Sequence, residues 1–306
     1  SILLGGKQSV AQEGNQSAVI CLEFSDERQM LASASIDGRV RIWNAANGSL
    51  RDFQIVHPDG GAHDLMFIED GQYLISASRR EVLVTDINSG DTIARLRIQA
   101  NHPQLAFARD TGEVFIADDL NGVTRWSWRT DQSERIVSSD YRIHTVAVTA
   151  DGARMVTAGD ERELILWDVY ERTPLQQTVR AAGRVDDMWI TQENRLIVQA
   201  GYWLQSVGVY PIGLAIRSTR FLAAAPASVQ PGREGDTAFV LSPSPSRPLV
   251  TELTINEPGL ITLEGNPDEL RLYWRDRLAM TLDEDGNAQP MFDQSLTLSS
   301  ADISGY

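Results

Sequence analysis

Of 306 residues only one is cysteine, one is lysine and four are histidine. With Cys21 alone there is no intrachain disulfide, and its place in an alternating apolar stretch reads as a buried free thiol. Lys7 stands against 26 arginines, a skew that suits a GC-rich bacterial genome. No apolar run approaches the roughly 20 residues that a membrane helix needs. Positive charge is also short: a formal charge of -15 and a pI near 4.7 repel a phosphate backbone, and no basic stripe is interleaved with aromatics. Nucleic acid is therefore not an expected partner. A hydrophobic content of 42% and a mean hydropathy of -0.23 fit a globular chain. An initial Met, a charged n-region and an apolar h-region are missing from "SILLGG", which reads as a short strand and a turn at a boundary, so nothing about secretion follows from it.

Catalytic constellations are equally scarce. His57 and His63 flank "PDGGA" without the His-Glu-x-x-His helix that sets two imidazoles beside a general base, and both read as solvated loop residues. There is no Gly-x-Ser-x-Gly elbow and no Cys-His pair. "GGKQS" at 5 to 9 lacks the spacing and the helix of a phosphate loop. Adjacent carboxylates are expected by chance among 42 acidic residues, so they point to no glycosidase chemistry. "NQS" and "NGS" match the glycosylation sequon and read as turns. The expectation is a chain that is not itself an enzyme.

What the chain has in abundance is repetition. "VICLEFSDERQMLASASIDGRVRIWNAANG" at 19 to 48 recurs as "AHDLMFIEDGQYLISASRREVLVTDINSG" at 62 to 90 and "PQLAFARDTGEVFIADDLNGVTRWSWRTD" at 103 to 131. "VAVTADGARMVTAGDERELILWDVYERT" at 146 to 173 is a fourth copy, and "VDDMWITQENRLIVQAGYWLQSVGVYPIG" at 185 to 213 is a weaker fifth. Equivalent positions Trp43, Thr85, Trp126, Trp167 and Val209 lie 42, 41, 41 and 42 residues apart. Each unit reads as an alternating strand, a polar turn, a strand of small residues, a second turn, the Trp-bearing strand and a closing strand. Four antiparallel strands cannot cover both of their own faces, so copies must stack, with Ala32, Ala34, Ala77 and Ala158 where sheets approach closely.

"RIWNAANG" and "ILWDVYERT" carry a resemblance to the WD40 repeats of a β-propeller, covering residues 1 to 222; "VTDINSG" and "RWSWRTD" are degenerate copies and "GVYPIG" a poor one. The Gly-His dipeptide that usually opens such a repeat is missing throughout, so the family's buried histidine network is not expected here. After Phe221 the composition shifts to "AAAPASVQPGREGD" and "SPSPSRP", read as a linker over 223–248. The segment 249–306 then reads as a small β-sandwich or as irregular sixth and seventh blades. Over about 231 to 306, "DELRLYWRD" and the closing Gly305-Tyr306 are similar to the bacterial pre-peptidase C-terminal domain, which implies an appendage of a secreted enzyme and favours an extracellular or cell-surface location. The fold class expected is all-β: a WD40-like propeller of five recognisable repeats followed by that segment.

Function is then expected on a surface. Loops that join successive units, with the turns between second and third strands, gather on one face of a propeller. The partner-binding candidates there are Arg79, Arg80, His102, Asp119, Tyr141, Arg142, Tyr202 and Trp203, because Arg, Tyr and Trp combine large rigid contact area with polar tips. "LDEDGN" sets Asp283, Asp285 and Asn287 at alternating positions as oxygen donors for Ca2+, although an ordinary turn uses the same residues. No other cofactor is implied. The partner is read as a protein, or as flanking sequence or a neighbouring copy that donates a strand beside "SILLGG". A scaffold within a longer bacterial polypeptide leads, ahead of an accessory region of a secreted hydrolase and of a glycan-binding module.

Overall fold

The computed structural model describes residues 17–191, 195–201, 203–210, 213–221 and, further on, the strands between 228 and 290. The chain divides into two compact units, residues 1–146 with 150–152 and residues 147–149 with 153–306. Every regular element among the described residues is a strand.

The first sheet is β1 (Val19–Ser25), β2 (Met30–Ser35), β3 (Arg39–Asn44) and β4 (Leu50–Val56) in chain order. The second is β5 (Asp64–Ile68), β6 (Tyr73–Ala77), β7 (Glu81–Asp86) and β8 (Thr92–Arg97). The third comprises β9 (Gln104–Ala108), β10 (Glu113–Ala117), β11 (Gly122–Ser127) and β12 (Gln132–Ser138), and the fourth β13 (Ile143–Val148), β14 (Arg154–Gly159), β15 (Glu163–Asp168) and β16 (Thr173–Arg180). All four follow the same meander, as the repeat grammar predicts. The fifth copy supplies β17 (Asp187–Ile190), β18 (Arg195–Ala200), β19 (Trp203–Tyr210) and β20 (Gly213–Phe221). That sheet continues through a β20 pairing, Thr219 opposite Leu263, into β24 (Ile261–Asn266), β25 (Glu269–Trp274), β26 (Arg277–Asp283) and β27 (Ala288–Pro290). A separate three-stranded sheet holds β21 (Ser228–Pro231), β22 (Thr237–Ser242) and β23 (Leu249–Thr254), so strands occur inside 223–248 as well as beyond it. "SILLGG" lies outside the described residues.

Burial follows strand position. In β6, β7 and β10 almost every residue is buried on both faces, whereas β4, β8 and much of β12 alternate or face solvent as the outer strand of their sheet. The last alanine before each second-to-third-strand turn, Ala34, Ala77, Ala117, Ala158 and Ala200, is fully buried. In the first unit one core joins Ile42, Leu65, Leu74 and Leu83 of the first two sheets, and another joins Ile75, Val84, Val114 and Trp126 of the second and third. In the second unit Val156, Leu166, Met188 and Leu196 form the corresponding cluster. Cys21 is half-buried against the first of these cores, and not fully enclosed as its apolar context suggests, because β1 is itself largely exposed or half-buried.

The Trp-Asp ending has a direct physical role. The indole Nε1 of Trp43 donates to Ser33 Oγ, and that of Trp167 to Thr157 Oγ1, each at 2.8 Å, so the third strand is fastened to the second. The next residue caps the following turn: Asn44 Oδ1, Asp86 Oδ1 and Asp168 Oδ1 each accept two backbone N–H groups. The Glu171 N–H first, and then the Arg154 guanidinium and the Tyr170 N–H, hold the Asp168 carboxyl below its ordinary value against the opposing effect of burial. Four residues past these caps the backbone turns left-handed, at Gly48, Gly90 and Arg172, and Asp131 does the same at the equivalent place in the third copy. At Gly90 a Cβ would lie 2.6 Å from the Phe53 ring, so a side chain is excluded as well as strained.

Candidate partner-binding surface and a buried histidine

The inter-blade links and the second-to-third-strand turns of the first unit do meet at one end of the sheets. The Arg80 N–H donates to Asp59 Oδ2 in the β4–β5 link, Asn101 N–H in the β8–β9 link donates to the Asp118 carbonyl, and Ile143 N–H at the end of the β12–β13 link donates to the Leu120 carbonyl. Asp118 closes its own turn by accepting the N–H groups of Leu120 and Gly122 at 2.9 Å each, and its other oxygen meets Arg135 at 2.8 Å. This leaves Asp119 in a left-handed conformation with φ of 52°, and its side chain is buried and not exposed as a surface contact would be, because neighbouring side chains close over it.

Three side chains converge on Asp119. His102 Nδ1 lies 2.9 Å from Oδ2, the Arg142 guanidinium 2.8 Å from the same oxygen, and His144 Nδ1 2.5 Å from Oδ1. Arg142 Nε also donates to the Asp119 carbonyl. Burial alone would raise this carboxyl, but the hydrogen bonds from His102, His144 and Arg142 prevail and hold it below its ordinary value. His63 stacks edge-on against His102 with ring centroids 4.9 Å apart, and burial, reinforced by His102 and Arg79, pushes its imidazole pKa down.

Of the eight expected surface residues, His102, Asp119 and Arg142 are thus bonded together, with Tyr141 beside them and 50% exposed. Arg79 and Arg80 are exposed on the neighbouring turn, and among the described residues neither guanidinium makes an ion pair. Trp203 belongs to the second unit and is half-buried against its core, as an inter-sheet aromatic would be. Tyr202 lies outside the described residues, as do Asp285 and Asn287; Asp283 is the last residue of β26. His63, His144 and Leu120 join the cluster without having been anticipated. They come from a link, the second position of β13 and a second-to-third-strand turn, and the strand spacing does not mark which of these positions face one another.

His57 departs most from expectation. It is a buried residue, not a solvated one, with its Nε2 2.8 Å from Ser76 Oγ. Its backbone N–H donates to the Gly38 carbonyl at 2.7 Å, and a Cβ on Gly38 would stand 2.5 Å from the His57 carbonyl oxygen, so glycine alone lets the link pass this close. A buried histidine-centred network therefore exists without the Gly-His dipeptide. The legible signal was Ser76, which repeats the position of Ser33 and Thr157 in the copy where Thr85 replaces the Trp and leaves that hydroxyl to another partner. Burial, only partly offset by Asp59, lowers the His57 pKa to about 4, so the ring is neutral at neutral pH. Ser76, His57 and Glu81 line up as a nucleophile, base and acid would, but Ser76 is fully buried and no substrate reaches it. The hydroxyl fastens the second strand to the link.

Comparisons agree with this architecture. The family model "WD domain, G-beta repeat" matches residues 6–44. The chain is 30% identical over 146 residues to a WD repeat-containing protein 55 homolog of Drosophila persimilis, covering 42% of this chain and 28% of that one. It is 24% identical over 176 residues to Protein HIR1 of Eremothecium gossypii, covering 51% of this chain and 18% of that one. It thus spans less than a third of the length of these curated relatives. Among solved structures, the Cps50 (Swd1) beta-propeller domain of Myceliophteria thermophila superposes with a TM-score of 0.62 at 16% identity, covering 90% of this chain and 89% of that one. A chain of the Mitotic Checkpoint Complex gives 0.64 at 14% identity over 75% and 73%. The class is an all-β chain with the fold of a β-propeller, in which residues 6–44 match a WD40-type repeat.

Proposed function

We propose that this chain is a non-enzymatic protein-binding module of a longer polypeptide, and that it receives its partner on the surface organised by Asp119. The observation that carries the reading is the arrangement itself: Asp119 is saturated by His102, Arg142 and His144, so it positions those side chains instead of offering negative charge. What remains open is Arg79, Arg80, Tyr141 and the 40% exposed Leu120, a cationic and partly apolar patch on a chain of net charge -15. Such a patch fits an acidic protein segment carrying an apolar anchor. Membership of a bacterial polypeptide rests on the single lysine, and an extracellular or surface location on the C-terminal resemblance. A glycan-binding role draws less support, since Trp203 packs into a core.

Binding of a fluorescent peptide library graded in acidic and aromatic content tests the proposal. Acidic peptides with one large apolar residue bind best, and the Arg79→Ala/Arg80→Ala double variant loses at least tenfold in affinity while the fold is unchanged. Equal binding of basic and acidic peptides, or affinity indifferent to the double substitution, would contradict it.

A further inference from the structure

The β4–β5 link and the β6–β7 turn bring three ligand atoms together below the surface. One each from His57, Asp59 and Glu81 lie within 4.8 Å of one another. His57 Nδ1 and Glu81 Oε1 are 3.4 Å apart, which is about the edge of a tetrahedron built on metal–ligand bonds of about 2.1 Å. The His57 side chain has no solvent exposure, yet its Nδ1 has no hydrogen-bond partner, and neither has the buried Asp59 Oδ1. Two buried polar atoms without hydrogen bonds in one cluster are costly unless something joins them.

The other atoms of the cluster are already engaged in ways that suit a metal site. Asp59 Oδ2 accepts the Arg80 N–H at 2.9 Å and lies 3.2 Å from the Ser78 hydroxyl, which leaves Oδ1 turned away from the protein's own donors. Glu81 Oε2 faces Arg95 Nε at 3.7 Å, which leaves Oε1 for the cluster. His57 Nε2, held by Ser76 Oγ at 2.8 Å, has the partner that orients a metal-bound imidazole through its second nitrogen.

We propose that His57 Nδ1, Asp59 Oδ1 and Glu81 Oε1 bind a divalent transition-metal ion of the zinc class, with a fourth position left to water. One imidazole and two carboxylates are a borderline-hard donor set, suited to Zn2+ and Co2+ and too poor in oxygen ligands for Ca2+. The ion would tie the link between the first two sheets to the β6–β7 turn, immediately beneath Arg79 and Arg80. The proposal is independent of the partner-binding reading.

The test uses the whole chain, stripped with a chelator and titrated with Zn2+ against a chromophoric competitor, and with Co2+ followed by its visible absorption. One ion per chain binds, the His57 Nδ1 resonance in 15N NMR shifts on loading, and the thermal midpoint rises. Asp59→Asn and Glu81→Gln, which keep shape and the Arg80 contact, each weaken binding at least tenfold, whereas His63→Asn leaves it unchanged. His57→Asn abolishes binding if it folds, and the two carboxylate variants decide the matter if it does not. No saturable binding, or binding that survives both carboxylate substitutions, or a site that moves with His63 or His102, would overturn the proposal.

Discussion

Trp126 occupies the same place in β11 that Trp43 and Trp167 occupy in β3 and β15, but its indole Nε1 is buried without a partner. The reason is in the sequence: the position ten residues earlier, Ser33 and Thr157 in the other copies, is Ile116 here. Substituting Ile116 by Val removes one methyl group from a nearly fully buried site and costs about 1 kcal/mol. Thr has the shape of Val with a hydroxyl added, and in an apolar core that hydroxyl usually costs about 1–3 kcal/mol. At 116 it meets the waiting indole donor, and satisfying a buried N–H recovers about the same amount. Ile116→Thr is therefore expected to be as stable as Ile116→Val or more so, by up to about 1 kcal/mol. Urea unfolding followed by Trp fluorescence gives the two midpoints, and the indole N–H shift of Trp126 reports the new hydrogen bond directly. A Thr variant less stable than the Val variant by more than about 1 kcal/mol refutes the reasoning.

The converse change, Thr157→Val, strands the Trp167 indole and is expected to cost about 1–3 kcal/mol in the same assay. Gly90→Ala, at φ of 80° and with the Phe53 ring 2.6 Å from the new Cβ, should lower the unfolding free energy by about 1–3 kcal/mol, read by urea denaturation. For acid stability, the Asp119 carboxyl lies below its ordinary 3.8 in the folded state, so its contribution is complete above that value and is lost as pH falls through the lower folded value. Asp119→Asn should therefore flatten the acid limb of the stability curve below about pH 4 while leaving its slope above pH 5 unchanged, as measured by denaturation at stepped pH.

How much of this was legible from the residues depends on what kind of regularity carried it. Repeats of 41 to 42 residues impose strand order, because a sheet that leaves two faces uncovered can only be completed by another like it. Trp43, Trp126 and Trp167 mark the third strands, and the buried alanines mark the turns that follow the second. The surface was legible as a set of loops but not as a constellation. Asp119, His102 and Arg142 come from two links and a turn, and their convergence depends on a left-handed backbone at Asp119 that no spacing announces. His57 was misread for a related reason. A histidine after Val56 and before Pro58 looks like solvated loop, and its burial depends on Gly38, distant in sequence in the β2–β3 turn, and on Ser76 in the next sheet.

The claim that this end of the blades receives a protein partner is tested most directly by site-specific photo-crosslinking in the source cells, with the photoreactive residue placed at Leu120, at Tyr141 or at Ser89. Ser89 lies in the turn after β7, at the other end of the same strands. The account predicts one common protein adduct from Leu120 and Tyr141, absent from Ser89 and lost when Arg79 and Arg80 are replaced by Ala. Adducts formed equally from Ser89, or adducts at Leu120 and Tyr141 that persist without the two arginines, would contradict it.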